Sequence, residues 1–206
     1  MRPFLLLLVL LLTGCASLPE RPPVADISAA WRERQAALAG IHTWELRGRI
    51  AVRTAEDGGP ASLHWVRRQD THRIDLAGPF GGGRVRLTQE AGAAELRDSS
   101  GQTHRDSSMQ RLLARATGWW LPLEGLNYWV LGLPAPDAPM ELRLDAWGRL
   151  QTLEQLGWDI TFTEYIEHGG YELPRRVFIR RKDDGTSMLE VRLAVEQWNL
   201  PGAAAK

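Results

Sequence analysis

The chain has 206 residues, and its 25 Lys plus Arg are matched by 25 Asp plus Glu. No net field is therefore available to recruit nucleic acid or an anionic surface. Cys15 is the only cysteine, which excludes an internal disulfide and, beyond the leader, any thiol nucleophile or Cys-based metal site.

In chain order the first feature is MRPFLLLLVLLLTGCASLPERPP. Arg2 supplies a positive start and Phe4 opens an apolar run too short to span a bilayer as a helix, so residues 1–14 read as a cleaved signal peptide. The junction Leu12-Thr13-Gly14-Cys15 resembles the bacterial lipobox, in which the thiol takes a diacylglyceryl group and the freed amine a further chain, palmitate being typical. Three chains make release from a membrane very slow. Ala16 in second place, by resemblance to the sorting rule of enteric lipoproteins, permits export to the outer membrane. Residues 15–26, with Pro19, Pro22 and Pro23, are expected as an extended tether. Residues 27–200 should form one domain, and 201–206 a flexible tail.

Residues 27–41 (ISAAWRERQAALAGI) have Ile27, Trp31, Leu38 and Ile41 near one face, predicting an amphipathic helix. The period then changes to two. Trp44, Leu46, Gly48, Ile50 and Val52 alternate with Glu45, Arg47, Arg49 and Arg53; Ala61, Leu63 and Trp65 repeat the pattern, with Asp57-Gly58-Gly59-Pro60 as the expected turn. Ile74/Leu76, Val85/Leu87 and Ala94/Leu96 mark three more strands.

The middle differs. Residues 107–117 carry Met109, Leu112, Leu113 and Ala116 at helical spacing behind serines, and 123–131 form a second short helix between Pro122 and Gly132. Strands resume at Leu142/Leu144, 150–156, Trp158/Ile160/Phe162, Val177/Ile179 and Leu189/Val191/Leu193/Val195. The pattern predicts a mainly β fold with helices (α+β). An antiparallel sheet of about ten strands must curl, and the helices between its halves leave either a packed core or an apolar hollow.

Catalytic signatures are absent. His42, His64, His72, His104 and His168 are scattered without ligand spacing, no Gly-x-Ser-x-Gly elbow occurs, and residues 78–83 (GPFGGG) lack the ending that grips phosphate. No cofactor, metal or enzyme activity is expected.

Several segments together resemble the LolB family of outer-membrane lipoprotein receptors. They are residues 44–52 (WELRGRIAV), 61–65 (ASLHW), 78–81 (GPFG), 117–122 (TGWWLP), 128–134 (YWVLGLP), 148–150 (GRL), 157–158 (GW), 173–175 (LPR) and Trp198. The resemblance implies a half-open antiparallel β-barrel of about eleven strands with helices covering an apolar cavity. It also implies a lipid-anchored protein of the outer membrane facing the periplasm, and a monomer. Such a protein takes acylated lipoproteins from a periplasmic carrier, LolA, and inserts them into the outer membrane without nucleotide. The cavity lining then falls to Leu46, Ile50, Val52, Leu63, Trp65, Ile74, Leu76, Val85 and Leu87 of the early strands, Leu112 of the helix, and Trp158, Ile160 and Phe162. Phe80 stands where leucine is expected to be commoner.

Phe80 admits two readings: a plug folded into the sheet edge, or an apolar tip that enters the bilayer with Arg84 and Arg86 behind it. The alternative function is a scaffolding outer-membrane lipoprotein without lipid cargo; a third is a hydrolase of apolar ligands.

Overall fold

The computed structural model describes residues 21–55, 57–79, 83–181 and 189–201; Cys15 and Phe80 lie outside these. Eleven strands form one antiparallel sheet: β1 (Thr43–Arg53), β2 (Gly58–Arg68), β3 (Thr71–Ala77), β4 (Val85–Glu90), β5 (Ala93–Arg97), β6 (Thr103–Asp106), β7 (Met140–Leu144), β8 (Leu150–Gln155), β9 (Trp158–His168), β10 (Tyr171–Arg181) and β11 (Glu190–Asn199). Their order is β6-β5-β4-β3-β2-β1-β11-β10-β9-β8-β7. The first and last strands are thus neighbours in mid-sheet, β6 and β7 are the two edges, and the sheet is not closed. Helix α1 (Ile27–Ala39) precedes the sheet, while α2 (Met109–Thr117) and α3 (Leu123–Trp129) lie between the two edge strands in sequence.

Alternation sets the register. Trp44, Leu46, Gly48, Ile50 and Val52 are buried along β1 while Arg47, Arg49 and Arg53 are exposed. The paired Leu46–Trp65 and Leu46–Trp198 rows place three strands' inward side chains together. Trp44 meets Trp65 edge-on at 5.1 Å between centroids and Trp198 at 5.8 Å, a geometry that suits the ring quadrupoles. Gly48 sits where the β1–β11 register shifts, and a Cβ there would lie 2.1 Å from the Ala194 carbonyl oxygen. Only glycine lets the two backbones approach so closely.

Local chemistry ends the helices. Asp26 accepts a hydrogen bond from Ala29 N (2.8 Å) and caps α1. Ser108 caps α2 by accepting from Arg111 N, and left-handed Gly118 stops it.

Several expectations are corrected. Helix α1 ends at Ala39, two residues early, and Ile27 is exposed rather than on the buried face, which consists of Trp31 and Leu38. Helices α2 and α3 are also shorter, starting at Met109 and ending at Trp129. The first hairpin turns at 54–57, where Thr54 Oγ1 accepts from Asp57 N (2.9 Å). Gly58, Gly59 and Pro60 already pair with β1. Strand β6 (THRD) has no apolar residue and gives no alternation. Residues 21–24, expected as free tether, are bound to the domain: Val24 N donates to Ala146 O (3.0 Å) and Arg21 pairs with Glu172 (3.0 Å).

Among the described residues only two polar side chains, Asn127 and Gln155, are buried. Gln155 Oε1 accepts from Trp129 Nε1 (3.1 Å) and Ala135 N (2.8 Å), and its Nε2 donates to Ala135 O (2.8 Å). By contrast the buried Trp44 Nε1 has no acceptor. Trp129→Phe should therefore cost about 1 kcal/mol more than Trp44→Phe, because only the former removes a hydrogen bond, the one that Trp129 Nε1 donates to Gln155 Oε1. Urea unfolding of the two variants checks this, and equal losses would contradict it.

Candidate lipid-binding site

The α2–α3 segment lies over the concave face of the sheet, with α2 against β4, β5 and β6. Between the two layers is an internal void of about 20 Å³ walled by twelve apolar side chains. Ile50, Leu63, Trp65, Ile74, Leu76, Val191 and Leu193 come from the sheet. Leu113, Leu121, Leu123, Leu126 and Val130 come from the helical segment. A water needs ~10–15 Å³ and several polar partners; this void offers the space of roughly one water and no side-chain partner. It is suited to apolar matter alone, and an acyl chain enters only if the layers part.

Five of the expected lining residues, Ile50, Leu63, Trp65, Ile74 and Leu76, stand on the void. Leu46, Val52, Val85, Leu87, Leu112, Trp158, Ile160 and Phe162 do not, although all are buried in the same continuous core. The seven on strands point inward as alternation requires and Leu112 is buried on helix α2, but all eight pack within the core away from the void; Leu46, for example, is flanked by Trp65 and Trp198. Two sets of wall residues escape sequence reading. Leu113 of α2, Leu121 after it, and Leu123, Leu126 and Val130 at helical spacing signal burial without saying against what. Val191 and Leu193 carry the strand alternation of β11 and are indistinguishable in sequence from ordinary core.

An open cleft of about 500 Å³ adjoins the void, and Trp65 and Leu123 are common to both. Its other walls are mixed: His72 and Gln89 from the sheet, Ser107, Ser108 and Gln110 at the start of α2, and Glu124 and Asn127 from α3 stand among apolar groups that include Met109, Pro136 and Leu156. An open cleft of mixed lining beside a dry apolar void, with two side chains common to both, is a geometry matched to an amphiphile. Few polar bonds tie the helical layer down beyond the start of α2, where Asp106 of β6 accepts from Arg111 Nε (3.0 Å) and Arg115 Nη2 (2.9 Å). Arg67 Nη1 donates to Asn127 Oδ1 (3.2 Å), and Gln155 holds Trp129 and Ala135.

His72 marks the boundary. Its Nδ1 accepts from Trp65 Nε1 (3.3 Å), which requires that nitrogen to be unprotonated. Burial, reinforced by Arg67, lowers the ring from its usual 6.5 to about 4. No group of three His, Cys, Asp or Glu among the described residues is placed to hold a metal.

The chain matches the model of the LolB family, described as outer membrane lipoprotein LolB, over residues 42–198. It is 39% identical over 193 residues to outer-membrane lipoprotein LolB of Pseudomonas syringae pv. syringae (strain B728a), covering 93% of this chain and 92% of that protein. The same-named protein of Stutzerimonas stutzeri (strain A1501) is 36% identical, with 93% and 91% covered. The chain belongs to the LolB family.

Two solved structures share the fold at 11% identity. One is a LolA superfamily protein from Nitrosomonas europaea, with a TM-score of 0.52 and 86% of this chain and 94% of that chain covered. The other is a putative outer membrane lipoprotein-sorting protein domain from Vibrio parahaemolyticus, with a TM-score of 0.54 and 88% and 96% covered. As a LolB family member the protein is a lipid-anchored outer-membrane lipoprotein facing the periplasm, and its family serves lipoprotein localisation rather than catalysis. Among the described residues no helix is long and apolar enough to cross a membrane.

His72 yields a pH test. The ring is neutral when folded down to about pH 4, whereas the unfolded ring takes a proton near 6.5. Its contribution to stability is therefore whole above pH 6.5 and is lost as pH falls towards 4. His72→Gln should flatten the fall of the urea midpoint between pH 7 and 4.5; an unchanged slope would refute the assignment.

Proposed function

We propose that this LolB family protein accepts acylated lipoproteins from a soluble LolA-type carrier. It holds their acyl chains between the concave sheet and the α2–α3 segment, and releases them into the outer membrane without nucleotide. Cys15 is the acylated anchor residue, and the protein acts as a monomer. The observation that carries the reading is the largely apolar contact between the two layers, interrupted by a dry void and crossed by few polar bonds beyond the Asp106 pairs with Arg111 and Arg115 at the start of α2. Parting such a contact exposes apolar surface that acyl chains can cover in turn, at a cost of roughly 25 cal/mol per Å² left bare.

The small volume of the void is also what a scaffold without cargo would have. A fluorescent fatty-acid probe separates the two: saturable uptake, with the probe's emission shifted to that of an apolar setting, is expected. Leu63→Glu should abolish uptake, because a lone carboxylate on that wall costs several kcal/mol to bury. No uptake by the folded native chain would favour the scaffold.

Delivery is assigned to the loop that joins β3 to β4, with Phe80 as an apolar tip that meets the bilayer so that cargo leaves without crossing water. Phe80→Glu should leave probe uptake and melting unchanged while stopping transfer of acylated peptide into vesicles, and Phe80→Leu should transfer normally. Full transfer by a stable Phe80→Glu protein would exclude the tip role. A lowered melting temperature with weakened uptake would instead identify Phe80 as a plug.

A further inference from the structure

Residues 21–24 lie across the turn between β7 and β8. Val24 N donates to Ala146 O (3.0 Å), Trp147 Nε1 donates to Arg21 O (3.1 Å), and the Arg21 guanidinium pairs with Glu172 at 3.0 Å. Glu172 is itself held by Arg149 (3.0 Å), which also binds Asp145 (2.7 Å). Helix α1 rests on the same turn so closely that a Cβ on Gly148 would lie 2.8 Å from Ala30 Cβ. The chain is thereby fixed at one place just before α1 begins.

That place is at the end of the strands opposite to the β3–β4 loop. Neighbouring strands alternate in direction throughout the sheet order. The end where β3 finishes at Ala77 and β4 starts at Val85 is therefore also the end of the β1–β2 and β5–β6 turns. The β7–β8 turn belongs with the β2–β3 and β9–β10 turns at the other end. Six residue steps separate Cys15 from Arg21, a reach of at most ~21 Å at ~3.5 Å per residue. An eleven-residue strand such as β1 runs ~36 Å, and still ~28 Å along a barrel axis when tilted by ~40°.

We propose that residues 21–24 are a releasable strap that decides which end of the half-barrel the lipid anchor holds at the membrane. The inference rests on Cys15 as anchor and on the β3–β4 end as the delivering end. With the strap docked, the anchor keeps the β7–β8 turn and the start of α1 beside the lipid headgroups. The β3–β4 end of an upright barrel is then out of reach of the same bilayer. Releasing residues 21–26 roughly doubles the tether, to ~40 Å, and the β3–β4 end can come down. The contacts suit release: the Arg21 side chain is 60% exposed, and ion pairs of that kind hold weakly.

Two experiments on the full-length acylated protein test this. First, Ser99→Cys, in the β5–β6 turn, carries an environment-sensitive fluorophore, and the vesicles contain headgroup-quencher lipid. Quenching should be low in the otherwise native protein and rise at least twofold when Arg21→Ala and Trp147→Phe break the strap. Equal quenching with and without the strap contacts overturns the proposal, whatever the protein's role in transfer. Second, Val24→Cys/Ala146→Cys joins two residues already linked by a backbone hydrogen bond, and Cys15 is the only native thiol. The oxidised form should transfer a diacylglyceryl-cysteine peptide into its own vesicles at least tenfold more slowly, with dithiothreitol restoring the rate. The same lock in a Cys15→Ala chain, which carries no anchor, should have no effect. Native-rate transfer by the locked, anchored protein overturns the strap. A native protein that transfers nothing instead refutes the delivery reading and leaves the quenching result to decide the strap.

Discussion

The sheet has one apolar face, and the chain reaches its two edges without ever pairing them. Because β1 and β11 meet in mid-sheet, each half of the chain builds outward, and the segment leaving edge β6 must travel to edge β7. Its route lies over the concave face, the one surface that has to be kept from water. The helices are therefore both the connection and the cover. A cover made from a connection is attached at its two ends and held between them by side-chain contact. That arrangement lets it lift without breaking the sheet ladder beneath.

Which bonds do hold the cover follows from the residues it buries. Most of its contacts with the sheet are apolar, and the polar exceptions are Arg111 and Arg115 with Asp106 at the end of β6, Asn127 with Arg67, and the Gln155 amide with Trp129 and Ala135. The amide uses both of its ends, so the segment after α3 is fixed to β8 with no polar atom wasted. Non-directional contact over the remaining area can be exchanged for contact with another apolar surface at little net cost. On the proposed reading, an acyl chain of ~16 carbons is worth on the order of 12 kcal/mol in lipid at ~0.8 per methylene. A cavity that recovers all but a few kcal/mol of that passes cargo downhill, since each ~1.4 kcal/mol is tenfold.

The sheet is legible in the sequence wherever a strand has one wet face. Arg47, Arg49 and Arg53 against Leu46, Ile50 and Val52 leave no doubt about β1, and β2, β9 and β11 read the same way. Strand β6 is illegible because an edge strand with both faces exposed needs no alternation, and THRD has none. The turn at 54–57 is masked by the Asp-Gly-Gly-Pro that follows it, since those residues also fit a strand beside a glycine-tolerant partner. Inward direction, too, is legible, while the wall of a void is not. Leu46 and Leu63 carry the same pattern, yet one is flanked by two tryptophans and the other borders the void, and the difference is made by side chains from other elements. The strap escapes for a related reason: Pro19, Pro22 and Pro23 announce an extended chain, but extension says nothing about what the chain lies against.

The two ends of the molecule are held by different physics. At the α1 end, Tyr165 donates to Leu150 O (2.6 Å) beneath two arginines, Arg34 at 5.2 Å and Arg149 at 4.5 Å from its ring centroid. Burial pushes the phenol's pKa well up, so it remains a donor at any physiological pH. Arg34 also donates to Glu172 O, and Arg149 reaches Asp145, Glu172 and the face of Trp147. Charge-assisted bonds and stacked cations are directional, and they lock α1, three strands and the β7–β8 turn into one unit. The α2–α3 layer is charge-paired only at its start, where Arg111 and Arg115 hold Asp106 of β6; further along, its described ties to the sheet are the neutral Gln155 amide and the single Arg67–Asn127 bond. On the proposed reading, a fixed polar end joined to a cover held mostly by apolar contact gives one part that keeps its shape and one part free to open, with the anchor strapped to the part that keeps its shape.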